Sequence, residues 1–127
     1  MTAIFEMIDP TRIFEVNGQV CLLSCATSVP TVANNQTVVA AVSGKRIRGM
    51  GLTAQSNVDA AIAGIALKSA SGGSIIYQFY APPRLSSPEH LPIAACGYFE
   101  TNTGEGLYVD VSTNVAILNV FYIIYTP

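Results

Sequence analysis

The sequence predicts an all-β chain, a single antiparallel β-sandwich domain of jelly-roll-like design, on three observations. Runs of β-branched and aromatic residues alternate with breaks containing Gly, Asn, Ser and Pro, the pattern of short strands joined by turns. The C-terminal run from Val115 to Thr126 is apolar on both strand parities, as expected of a central strand covered on two sides. No stretch combines a helical hydrophobic period with caps.

Residues 1–34 read as an N-terminal segment and 35–127 as the sandwich. Ile4 to Ile8 is apolar and acidic, and Asp9-Pro10 breaks it. Asn17-Gly18 is a strong tight-turn signal, so Gln19 to Ser24 can pair back on Thr11 to Val16. This segment is either such a hairpin or an arm reaching onto a neighbouring molecule. Ser28 to Thr31 and Asn34 to Gln36 are loop-like, with Pro30 holding Val29 extended.

Thr37 to Lys68 is the stretch around which the other runs are arranged. From Arg46 one parity holds Arg46, Arg48, Met50, Leu52 and Ala54, and the other holds Ile47, Gly49, Gly51 and Thr53. Gln55 to Asp59 supplies a polar turn, and Ala61, Ala63, Ile65 and Leu67 give the returning strand an apolar face. The expectation is an antiparallel hairpin. Gly49 and Gly51 weaken a strand unless another group packs closely over them, so a neighbouring layer is expected there.

Ser69 to Gly73 is a flexible turn, and Ile75 to Tyr80 has strand composition. Ala81 to Pro92 holds four of the seven prolines and reads as an irregular loop. Cys96 to Glu100 and Leu107 to Val111 are short strands separated by the Thr101 to Gly106 turn. Ser112 to Asn114 turns the chain into the last strand. There Ala116, Leu118, Val120, Tyr122 and Ile124 share one face, opposite Val115, Ile117, Phe121, Ile123 and Tyr125.

Composition narrows the function classes. Only 11% of the 127 residues are charged and 50% are hydrophobic, against about 25% charged in a typical soluble domain. A chain this poor in charge is expected to cover much of its surface with copies of itself or a partner. The net charge is −2 and no basic stripe with interleaved aromatics occurs, which argues against nucleic acid as a direct ligand. The longest apolar run, Val115 to Tyr125, has 11 residues and is interrupted by Asn119, short of the roughly 20 of a membrane-spanning helix. The first nine residues carry acidic side chains and no basic n-region. The expectation is a soluble protein made in a cytoplasm, with no membrane partner.

Cys21, Cys25 and Cys96 form no disulfide framework. On one strand Cys21 and Cys25 would lie about 13 Å apart, too far to bridge. A metal half-site at these two cysteines lacks a second half, since His90 is the sole histidine. Buried free thiols, with no metal and no cofactor, are expected. His90 follows Glu89, but neighbours on extended backbone point apart and do not form a base–orienter pair. Glu100 and Glu105 flank a turn and are the best carboxylate pair for glycoside hydrolysis. Their positions at a strand end and between two glycines fit structural roles better, so no catalytic residue is assigned.

Thr37-Val38-Val39-Ala40-Ala41-Val42-Ser43-Gly44-Lys45-Arg46-Ile47-Arg48 and Gly97-Tyr98-Phe99-Glu100-Thr101-x-x-Gly104-Glu105-Gly106-Leu107 together resemble blocks of small all-β virion proteins of tailed bacteriophages. The similarity covers roughly residues 35–125. The chain departs from the pattern at Gly49, where valine is usual, and at Asn119, where glycine is common. The resemblance implies a capsid decoration (cement) protein, a non-enzyme that binds the major capsid protein on the outer head surface and stabilises it. A tail, fibre or receptor-binding module is the alternative, and a carbohydrate-active enzyme using Glu100 and Glu105 is a third. Composition and the two-sided last strand imply a homo-oligomer, and the phage resemblance suggests a trimer. The candidate subunit interface is the face of Leu118, Val120, Tyr122 and Ile124, with the opposite face as the other choice.

Overall fold

The computed structural model describes residues 13–127. The expected segment Ile4 to Ile8 and its Asp9-Pro10 break lie outside them. Eleven strands follow in order: β1 (Ile13–Val16), β2 (Gln19–Leu22), β3 (Ser24–Ser28), β4 (Gln36–Val39), β5 (Arg46–Ser56), β6 (Ala63–Ser69), β7 (Ile75–Ala81), β8 (Glu89–Leu91), β9 (Phe99–Glu100), β10 (Leu107–Thr113) and β11 (Ala116–Tyr125). The described residues are all-β, as the sequence predicts.

Two antiparallel sheets pack face to face. One runs β3-β11-β5-β8, with β9 also pairing to β5, and the other runs β4-β10-β6-β7. Their inner faces supply one core, built from Leu52 and Ala54 of β5, Ile65 and Leu67 of β6, Val109 and Val111 of β10, and Leu118 and Val120 of β11. Each fully buried aliphatic side chain contributes about 1.5–3 kcal/mol.

The hairpin expected over residues 37–68 is not formed. Strands β5 and β6 belong to different sheets. The intervening segment is tied elsewhere: Ser56 N–H donates to the Pro82 carbonyl (2.8 Å), Asn57 N–H to Val115 (2.7 Å) and Arg84 N–H to Val58 (2.8 Å). The apolar faces were legible, but they meet across the sandwich rather than side by side in one sheet. β6 instead forms a true hairpin with β7 and pairs on its other side with β10.

Parity along β5 also changes midway. Gly49 pairs with Tyr122 and Gly51 with Phe121, leaving Met50 without a partner, so Met50 is a β-bulge. Before it Ile47 faces the core; after it Leu52 and Ala54 do. Arg46 and Arg48 lie opposite Tyr125 and Ile123 on the outer face, not on the face of Leu52. Met50 also turns outward, where it is buried with Cys21, Ile123 and Tyr125.

What buries Met50 is the β1–β2 hairpin. Asn17 and Gly18 both have positive φ, 52° and 75°, the conformation that a two-residue turn of this hand requires. Phe14 and Val16 pack toward Met50 and Ile123 as a third layer. The Gln19 amide fastens the hairpin, donating to the Thr126 carbonyl (2.6 Å) and accepting from the Thr126 N–H (2.9 Å). This hairpin therefore packs on its own chain. The boundary expected at residue 34 does not separate two units either, because β3 pairs with β11 from Ser24 to Ser28.

Both faces of β11 are thus engaged within the chain. Leu118 and Val120 are fully buried in the core, and Tyr122 and Ile124 pack against it. Of the candidate interface of Leu118, Val120, Tyr122 and Ile124, Leu118 and Val120 are therefore intramolecular core, and Tyr122 and Ile124 are half-buried beside it. Similarly, residues 89–91 of the proline-rich segment form edge strand β8 on Leu52–Ala54. An edge strand needs hydrogen bonds on one side alone, so Pro88 and Pro92 can flank it.

The crowding expected over Gly49 and Gly51 is present. A Cβ on Gly49 would overlap the Phe99 ring, and one on Gly51 would lie 2.8 Å from the Leu91 carbonyl oxygen. The Phe99 ring is held by stacking on Tyr77 at 5.5 Å between centroids. Gly49→Ala should therefore cost about 1–3 kcal/mol by overpacking. In urea denaturation, the double variant Gly49→Ala/Phe99→Ala should lose less than the sum of the single losses, by about 0.5–3 kcal/mol. Strict additivity would show that the ring is not what forbids a side chain at position 49.

Candidate functional site

The side chains singled out in the sequence are distributed over separate places. Glu100 pairs across β5–β9 with Arg48; its carboxylate lies 3.6 Å from the Arg48 guanidinium and 3.8 Å from that of Arg46. Arg48 also sits over the Tyr125 ring, 4.9 Å from its centroid, and Arg46 donates to Thr103 Oγ1 (3.1 Å). These partly exposed pairs contribute little to stability individually, but together they join β9 to β5 and to the end of β11.

Glu105 has other partners. It accepts from Ser69 Oγ (2.7 Å), which in turn accepts from the Asn102 N–H (2.9 Å). The Ser69 hydroxyl first, then the Asn102 side chain, holds the Glu105 carboxyl below its ordinary value of 4.5. Nearby, buried Thr101 exchanges two hydrogen bonds with Ile47, one through its own N–H (2.9 Å) and one through Oγ1 (3.0 Å). Glu105 thus fixes the 101–106 turn to the end of β6. The two carboxylates share no partner, and each is held by a structural contact.

His90 is exposed on edge strand β8, opposite Thr53, with Glu89 on the alternate side of the strand. Among the described residues no group of three or more His, Cys, Asp or Glu could hold a metal ion. Cys21 is buried as expected, whereas Cys25 and Cys96 are exposed. Cys21 and Cys25 also occupy different strands of different sheets, so their four-residue spacing never described one strand. Among the described residues no helix is long and apolar enough to cross a membrane.

One apolar surface is one that sequence reasoning did not single out. The hairpin turns Phe14, Val16 and Cys21 inward and leaves Ile13, Val20 and Leu22 exposed, Val20 by 76% and Leu22 by 69%. Ile13 stands directly opposite Leu22, so two aliphatic side chains adjoin on an open face. Beside the hairpin, the outer face of β3-β11-β5 is crossed by a polar row: Thr27 Oγ1 donates to Asn119 Oδ1 (2.8 Å), and Asn119 Nδ2 donates to Thr53 Oγ1 (3.1 Å). That row accounts for Asn119 in an otherwise apolar strand. The signal for the hairpin surface was present as apolar residues on both parities of 13–22, one set for each side.

No protein-family model matches the chain, and no curated protein matches it in sequence.

The Glu105 contact has a consequence for acid stability. Because its folded-state pKa is depressed, the ionised carboxyl contributes stability above about pH 4.5, and that contribution is lost as pH falls through the lowered value. Thermal unfolding followed by circular dichroism between about pH 3 and pH 7 should show Glu105→Gln melting below the wild type at neutral pH. The gap should close on acidification. A gap independent of pH would mean that Glu105 acts through something other than its charge.

Proposed function

We propose that this chain is a structural protein of a tailed-phage virion, a decoration protein that binds the major capsid protein on the outer head surface and reinforces contacts between capsomers. The observation that carries this reading is the open face of the β1–β2 hairpin, where Ile13, Val20 and Leu22 are exposed around a single charge among the described residues, Glu15, on a chain with few charges. Exposed apolar surface of this kind marks contact with another macromolecule.

Three further points support it. Of the residues an enzyme reading would need, Glu105 is hydrogen-bonded to Ser69 and Glu100 lies 3.8 Å from Arg46 and 3.6 Å from Arg48. The order β3-β11-β5-β8 facing β4-β10-β6-β7 we read as jelly-roll winding, an architecture common in virion proteins; this is analogy at the level of fold. The two phage-like sequence blocks also meet in space: Thr101 of the second is hydrogen-bonded to Ile47 of the first. The same surface could serve a tail or fibre module, so location is the deciding measurement.

Mass spectrometry of purified virions and of tail-less heads should find the protein on heads. Its presence on tails alone would replace the capsid reading with the tail one. We further propose a homo-oligomer, best taken as a trimer, assembling through the hairpin face in place of the β11 face. Leu22→Asp should leave the circular dichroism spectrum and stability nearly unchanged, within about 0.5 kcal/mol. It should weaken self-association or head binding by about tenfold or more in light scattering and head-pelleting assays. A wild type that scatters as a monomer at micromolar concentration would remove the oligomer from the proposal.

A further inference from the structure

The outer face of the four-stranded sheet carries a trough whose origin is a size pattern across three strands. In one row Asp110 of β10, Ala66 of β6 and Gln78 of β7 are neighbours; in the next, Gly64 of β6 lies opposite Tyr80 of β7, with Ser112 on the β10 side. The middle strand thus presents its two smallest side chains between taller ones. The depression encloses about 240 Å³, with Asn34 of the β3–β4 loop also lining it. A side chain at Gly64 would run into Ser112 Oγ, so the glycine keeps the trough open.

The walls differ in chemistry. Tyr80 is 67% exposed, although the edge of its ring comes within 3.7 Å of where a Gly64 Cβ would be. Most of a flat aromatic surface therefore faces the solvent. Gln78, Asn34 and Ser112 are exposed amides and a hydroxyl, able to donate and accept. Asp110 is pinned: one carboxylate oxygen accepts from the Asn35 N–H (2.7 Å) and the other from Lys68 Nζ (3.1 Å). Lys68 itself also donates to Asn35 Oδ1 (3.0 Å). The carboxylate is fixed in place with lone pairs to spare, and its charge is balanced by the lysine.

We propose that this trough binds a neutral carbohydrate, with one sugar ring lying on Tyr80 and its hydroxyls reaching Gln78, Asn34 and Asp110. A sugar ring offers an apolar C–H face and a rim of hydroxyls, which an aromatic plane bordered by amides and a carboxylate complements. The volume is below the roughly 300–1,000 Å³ of sites for drug-sized ligands, which suits a single ring of a longer chain. The balanced Asp110–Lys68 pair offers an acidic sugar no uncompensated cation. The inference goes beyond the virion reading and is independent of it, since the trough belongs to a different sheet from the hairpin face.

The test is amide NMR titration of the full chain with maltopentaose, cellopentaose, chitopentaose and mannopentaose, each to about 10 mM, where even millimolar affinity registers. Saturable shifts confined to Gly64, Ala66, Gln78, Tyr80 and Asp110 are expected with at least one of them. For that sugar, Tyr80→Ala should weaken binding about tenfold or more while Tyr80→Phe stays within about threefold, because the ring and not the hydroxyl supplies the platform. Tyr80 is exposed, so both variants should keep the wild-type spectrum elsewhere. No saturable shift with any of the four, shifts located on another surface, or binding indifferent to Tyr80→Ala would each overturn the proposal. None of those outcomes bears on where the protein sits in a virion.

Discussion

Three consecutive residues, Gly49-Met50-Gly51, set the geometry on which the remaining architecture depends. Strand β5 lies at the centre of its sheet, with β11 along one edge and both β8 and β9 along the other. Two short strands can share that edge because the glycines let them approach: Phe99 lies over Gly49, and the Leu91 backbone closes on Gly51. Between them the Met50 bulge exchanges the two faces of β5. One extra residue thereby lets a single strand contribute Ile47, Leu52 and Ala54 to the inner core and Met50 to an outer one. The third layer follows from that exchange, since the β1–β2 hairpin needs an apolar seat outside the sandwich and Met50, with Ile123 and Tyr125, forms it.

This same bulge explains what the sequence concealed. Alternation located β5 and β11 and their apolar character, and Asn17-Gly18 located the hairpin turn, because both signals are local. A bulge leaves no mark on composition, so parity counted through Met50 placed Arg46 and Arg48 on the wrong side of Leu52. Partner choice is equally non-local: a polar connection between two apolar strands fits a hairpin within one sheet and a crossover between two. Hydrogen bonds from Ser56 and Asn57 to residues far along the chain decide it here, and no spacing rule anticipates them. The cover of β11 was hidden for a related reason. A two-sided apolar strand announces two covered faces, but not that the β4-β10-β6-β7 sheet covers Leu118 and Val120 while residues 13–22 cover Ile123 and Tyr125.

Of the residues considered for chemistry, Glu100 stands at a strand end and Glu105 between glycines, positions legible in the sequence. Their partners were not legible. Arg46 and Arg48 reach Glu100 only because β9 docks antiparallel on β5, and Ser69 reaches Glu105 from 36 positions away. Tyr80 gave no sequence signal at all. Its interest comes from Gly64 across the strand pair, a relation that exists only once β6 and β7 are in register.

The placement of charge ties these observations together. Among the described residues, Arg46, Arg48, Lys68 and Arg84 each have an acidic partner, and Lys45 donates to Thr126. Each of these contacts fastens a turn, a loop or a strand end to its neighbour. With the basic side chains so engaged, the open faces are left to Ile13, Val20 and Leu22 with Glu15 on the hairpin, to Thr27, Asn119 and Thr53 beside it, and to Tyr80 and Gln78 on the opposite sheet. Surfaces of that composition exert little long-range pull on a partner, so association through them should proceed near the unsteered range of about 10⁵–10⁶ M⁻¹s⁻¹ with weak dependence on salt. The ion pairs thus hold turns and strand ends in place, and among the described residues exposed charge on the hairpin is confined to Glu15 opposite Val20.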